Sequence, residues 1–132
     1  MNLWRDLDIE NKVTQILQDA PNAVKGHHLG QPFLTAYQIA IEFEKRYPKE
    51  FKLLKLPVGG ARTGKRNSLA QYIAGQLSKN IKAKRITHIE GGFLSNLHLH
   101  DINFDKDGTD KLIHSSLTNT NFTLSMFRLR KK

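Results

Sequence analysis

Residues 59 to 65 read Gly-Gly-Ala-Arg-Thr-Gly-Lys, most of the GxxxxGK[ST] loop that cradles nucleotide phosphates. That loop needs a hydroxyl directly after its lysine to hold magnesium. Here the position is Arg66, and Ser68 arrives two residues late. The run before the loop should be a buried apolar strand, but Lys55 and Pro57 interrupt it. The chemistry left is phosphate binding without a nucleotide. Gly59, Gly60 and Gly64 let the loop follow a surface, and Arg62, Lys65 and Arg66 supply charge. The amides at the start of the following helix are expected to add a positive dipole end.

Other constellations are weaker. His98 and His100 sit two apart, which on a strand puts both rings on one face. With His88 or Asp101 they could hold a divalent metal; equally, they form an exposed edge with Leu97 and Leu99 turned inward. The run Asp105 to Asp110 resembles a calcium loop, but its glycine comes early and no glutamate closes it, so a turn is expected. Glu50-Phe51-Lys52 has no preceding aspartate on a strand to complete a nuclease site. No Gly-x-Ser-x-Gly elbow is present. No cofactor is expected.

Charge points the same way as the loop. The 132 residues carry a net charge of +9. Between Lys45 and Arg85 there are twelve Lys and Arg and one acid, Glu50, a local excess of +11. The rest of the chain, with nine bases and eleven acids, stands at −2. Positive charge this concentrated repels itself unless a polyanion meets it, which makes nucleic acid the expected partner. The length suits one domain. The absence of cysteine excludes disulfides and thiolate metal sites. No apolar run approaches the roughly 20 residues that span a bilayer. The first residues lack a secretory signal, so a cytoplasmic location is expected.

The elements that must position these residues follow from periodicity. A first helix is predicted over Ile9 to Asp19, with Asp8 accepting from its first amides and Pro21 beyond its end. A second begins after Thr35, where Thr35 and Gln38 make a capping box, and ends at Pro48. Pro48 opens a short helix carrying Phe51 and Leu54. Ser68 and Gln71 make another capping box for a third helix. Its buried face is Leu69, Ile73, Leu77 and Ile81. Its outer face carries Gln71, Gly75, Ser78, Lys79 and Lys82, with Tyr72 and Gln76 at the edge. After Arg85 the period falls to two. Ile86 to Glu90 reads as a strand, Gly91-Gly92 as a hairpin turn, and Phe93 to Ser95 as the start of the return strand. A last strand is predicted over Asn121 to Leu129. The fold class is α+β, helices first and antiparallel strands last.

The order helix, helix, basic loop, helix, Gly-turned hairpin is similar to a winged helix-turn-helix domain. The resemblance covers about residues 33–95, leaving 96–132 as a C-terminal β extension. The residues that carry it are LTAYQIAIEF, SLAQYIAGQLSKNIKAK and RITHIEGGFLS. It implies a third helix in the major groove, with Ser68, Gln71, Tyr72, Gln76 and Lys79 near bases or phosphates. Arg62, Lys65, Arg66, Lys79, Lys82, Lys84 and Arg85 are expected to bind phosphates, and Asn67, Gln71, Gln76 and Tyr72 to read sequence. The function expected is non-catalytic binding of nucleic acid, most simply duplex DNA. The alternatives are a protein-interaction module or inhibitor with a basic face, self-associating through residues 96–132 in one version, and a metal-dependent nuclease using His88, His98 and His100.

Overall fold

The computed structural model describes residues 2–20, 27–58, 68–95, 97–99, 102–105, 112–114 and 124–130. The chain is α+β. In order it forms α1 (Leu3–Asp6), α2 (Ile9–Gln18), β1 (Leu34–Thr35), α3 (Ala36–Arg46), α4 (Pro48–Leu54), α5 (Leu69–Lys82), β2 (Ile89–Leu94), β3 (Asn103–Asp105), β4 (Leu112–His114) and β5 (Leu124–Leu129).

The capping chemistry explains the helix starts. At α3, Thr35 Oγ1 accepts from the Gln38 amide at 3.2 Å and Gln38 Oε1 accepts from the Thr35 amide at 2.7 Å. Pro48 opens α4, and Lys55 ends it in the left-handed conformation. The start of α2 differs from expectation. Asp8 caps no amide; it lies at φ 54 and its carboxylate accepts from Asn11 Nδ2 at 2.8 Å. The reason is α1, which sequence periodicity did not reveal. The amides of Leu7 and Asp8 donate back to the carbonyls of Leu3 and Arg5, so Asp8 has to turn the chain between two helices.

The core gathers on α3, which packs against both α2 and α5. Ile39, Ala40 and Phe43 are fully buried there, with Ile9, Val13, Ile16 and Leu17 from α2 and Leu69, Ile73 and Leu77 from α5. Ile89 and Phe127 bring the sheet into the same cluster. A small antiparallel ribbon of β3 and β4 lies beside it. From it, Phe104 stacks on Tyr37 with ring centres 5.2 Å apart.

The main sheet is antiparallel with strand order β1–β5–β2. Here the hairpin expectation fails. Gly91-Gly92 is not a turn: it lies inside β2, opposite Phe127 and Met126 of β5. Neither glycine takes the positive φ that a primed turn requires. The partner of β2 comes from the far end of the chain. Residues 124–129 are therefore no extension but the central strand, and the connection between the paired strands is residues 95–123. The expected turn over residues 105–108 falls largely outside the described residues.

Arg128 holds one face of this sheet together. Its Nε donates to Glu90 Oε2 at 2.6 Å across the β2–β5 pair. Its Nη1 donates to the carbonyls of Leu29 and Gln31, and its guanidinium stands 4.2 Å from the centre of the Phe33 ring. Gly30, at φ +86, lets the backbone pass over that guanidinium. The segment leading into β1 is thus tied to the C-terminal strand.

The two glycines of β2 should respond differently to substitution. A Cβ at Gly91 would meet the Phe127 ring at 3.0 and 3.1 Å, whereas one at Gly92 meets only Phe33, at 4.0 Å. Gly91→Ala is expected to cost about 1–2 kcal/mol by overpacking. Gly92→Ala should cost less than about 0.5 kcal/mol. Urea midpoints with unchanged slopes would measure both. A tight turn would make the two equally sensitive.

Candidate nucleic-acid interface

Building the site starts at Ser68, the cap of α5. Its hydroxyl accepts from the Gln71 amide at 3.1 Å, and Gln71 Oε1 accepts from the Ser68 amide at 3.1 Å. The Leu69 amide donates to the Pro57 carbonyl at 2.7 Å and the Ala70 amide to the Val58 carbonyl at 3.0 Å. Every amide of the first turn therefore has a partner within the chain. The amides expected to add a positive dipole end are thus bonded within the chain, and the first turn of α5 has no amide left to bond an anion. The same bonds do something else. They pin residues 57 and 58 to the start of α5, so the two ends of the basic loop are held together. Arg62, Lys65, Arg66 and Asn67 fall between those ends, outside the described residues.

The body of α5 matches its periodicity. Leu69, Ile73 and Leu77 are fully buried and Ile81 partly so. Gln71, Gly75, Ser78, Lys79 and Lys82 are exposed along one face. Gln76 is half-buried, and its carbonyl accepts from Asn80 Nδ2 at 2.7 Å. Asn80 Oδ1 in turn accepts from Arg85 Nη1 at 3.1 Å, which ties the guanidinium to the last turn of the helix. Lys84, at φ 62, makes the turn out of α5 and is exposed, as is Arg85. Among the described residues Lys79, Lys82 and Lys84 form no ion pair. From Glu50 to Glu90 the sequence contains no acid between the two.

Two assigned readers are less available than expected. Gln71 spends its carbonyl oxygen on the cap and keeps only its amide hydrogens free. Tyr72 does not lie on the outer face. Its ring meets Trp4 of α1 edge-on, with centres 6.1 Å apart, so it supports α5 from behind. Burial pushes its hydroxyl above the usual tyrosine range, and a backbone contact from Trp4 opposes this only in part.

His88 Nε2 lies 2.9 Å from Thr14 Oγ1 of α2, and His98 is exposed. Among the described residues no group of three His, Asp or Glu side chains could share a metal; His100 and Asp101 are outside them. A separate cleft of about 450 Å³ opens between α2, α3 and β3. Arg46 crosses it with bonds of 2.9 Å to both Asp19 and Glu42, so its charge is already paired. Sequence reading did not find a third surface: Phe93 and Leu97 are 70% and 71% exposed, with Leu94 and Leu99 beside them in sequence and also exposed. Four apolar residues within seven positions are the available signal. Among the described residues no helix is long and apolar enough to cross a membrane.

No family model matches the sequence, and neither curated proteins nor solved structures give a significant match.

The position of Tyr72 has a consequence at alkaline pH. In the folded chain its hydroxyl holds a proton more tightly than the unfolded reference of 10.0. The stabilisation from keeping it neutral is full below about pH 10 and disappears as pH rises through the higher folded value. Tyr72→Phe keeps the contact with Trp4 but has no proton to lose. The melting temperature of the wild type should therefore fall more steeply above pH 10 than that of the variant, by calorimetry or circular dichroism.

Proposed function

We propose that the chain is a non-catalytic nucleic-acid-binding domain of winged-helix type that engages duplex DNA through α5 and the basic loop before it. The observation that carries this reading is the outer face of α5. Lys79 and Lys82, followed by Lys84 and Arg85, stand exposed in a stretch of chain that contains no acid. Elsewhere among the described residues, Arg46 and Arg128 are each paired to carboxylates. Cations without partners repel one another, and a phosphodiester backbone relieves that repulsion while releasing its own counterions. The order of elements supports the resemblance, since α2, α3 and α5 are followed by an antiparallel pair, β2 and β5. Gly91-Gly92, inside β2, is then not the tip of the wing. Support also comes from the packing of β5, which contacts α2 and α3 and leaves the outer face of α5 open.

One observation favours a second reading. Phe93, Leu94, Leu97 and Leu99 are large apolar side chains left exposed within seven positions, a feature that proteins use to meet other proteins. Under that reading the chain associates with a protein, or with itself, through the region that follows β2.

Duplex binding measured by anisotropy across a salt series separates the two. The wild type should bind arbitrary duplex DNA with an affinity that falls linearly in log–log form with salt. Lys79→Ala with Lys82→Ala should reduce the slope by about two, roughly one per phosphate lost, and weaken all sequences alike. Lys65→Ala with Arg66→Ala should do the same. Binding that is absent, or indifferent to both pairs of substitutions, would leave the protein-directed reading.

A further inference from the structure

Gly75 lies at the middle of α5, on its exposed face, one turn from Gln71 and one from Lys79. Glycine inside a helix destabilises it relative to alanine, so its presence calls for a local reason. Two reasons usually suffice, and neither holds here. The φ angle is not positive. A Cβ placed on Gly75 would meet nothing within 4 Å, so no neighbour forbids it. Other glycines in the chain do have such reasons, Gly91 against Phe127 and Gly30 over Arg128. Nothing inside the described chain asks for a missing side chain at position 75.

We propose that the reason lies outside the chain: Gly75 is the point at which α5 approaches the floor of a DNA major groove most closely. This deepens the reading of α5 given above and rests on it. The partner is a duplex because charge complementarity selects a polyanion and the dimensions select a groove. A helix with its side chains is about 10–12 Å across and the major groove about 12 Å wide, so the fit leaves little clearance. Removing one side chain from the leading face lets the backbone descend. Ser78 beside it is short, while Lys79 and Lys82 are long enough to reach phosphates from either side of the low point. The Gln71 amide hydrogens and the Ser78 hydroxyl are then brought against base edges.

The test uses the full chain with Gly75→Ala and Gly75→Leu, beside Lys79→Ala with Lys82→Ala, on one duplex and its separated strand. Gly75→Ala should raise the melting temperature by roughly 4 °C, because the helix gains propensity. The same variant should bind duplex about tenfold more weakly, and Gly75→Leu more weakly still. Single-strand binding should change little. The salt slope should stay at the wild-type value in both, since no phosphate contact is lost, whereas the lysine variant lowers it. A more stable Gly75→Ala protein that binds duplex as well as the wild type overturns the inference while leaving the reading of α5 standing. Loss of duplex affinity together with an equal loss of single-strand affinity overturns it as well. A wild type that shows no salt-dependent duplex binding removes both.

Discussion

The ring of Phe127 occupies the space where a side chain at position 91 would stand. That contact is the constraint on which the sheet depends. β5 lies between β1 and β2, and those two strands have no pairing with each other. The missing side chain at Gly91 leaves the Phe127 ring room to pack into the core. Once it is there, the hydrophobic cluster spans α2, α3, α5, β2 and β5. The far end of the chain thereby fixes where the segment leaving α5 must go, because Ile86 and Ile89 are buried on the same cluster. The geometry of α5 is anchored at its other end by the bonds from Leu69 and Ala70 to Pro57 and Val58.

The cations divide by what the fold does with them. Arg128 and Arg46 sit in partly buried positions, each with carboxylate partners, and contribute to holding elements together. Arginine suits that role because its planar fork serves several acceptors at once, as Arg128 does with Glu90, Leu29 and Gln31. The lysines of α5 have no such duty among the described residues. Each is a hydrated point charge on a flexible stem, next to others of the same sign. Such a surface costs the free protein a little stability, which a polyanion would offset.

What was legible in the sequence was local. Both capping boxes, Thr35 with Gln38 and Ser68 with Gln71, formed as read, because their partners are three residues apart and need nothing else. The buried and exposed faces of α5 followed from a period that is independent of tertiary context. What was illegible was either hidden by shortness or decided at a distance. α1 is four residues long, below the reach of periodicity, and it changed the job of Asp8. Gly91-Gly92 flanked by β-formers has the local signature of a turn, and nothing nearby in sequence signals that Phe127 will claim the space above it. Tyr72 likewise sits at the edge of the outer face by angle alone. Trp4, 68 positions earlier, draws it inward.

The sealed start of α5 bears on the phosphate recognition proposed for this chain. A cradle of free amides is preorganised and compact, and it suits a single bound phosphate. Here the amides of Ser68, Leu69, Ala70 and Gln71 serve the protein itself. Positive charge must then be delivered by side chains, from a loop whose ends are tied together and from the solvent-facing side of a rigid helix. Side-chain cations tolerate variation in where each phosphate lies and give no saturating pocket. Under the reading proposed above, that arrangement fits a partner whose charges recur along a surface better than one that carries a single phosphate group.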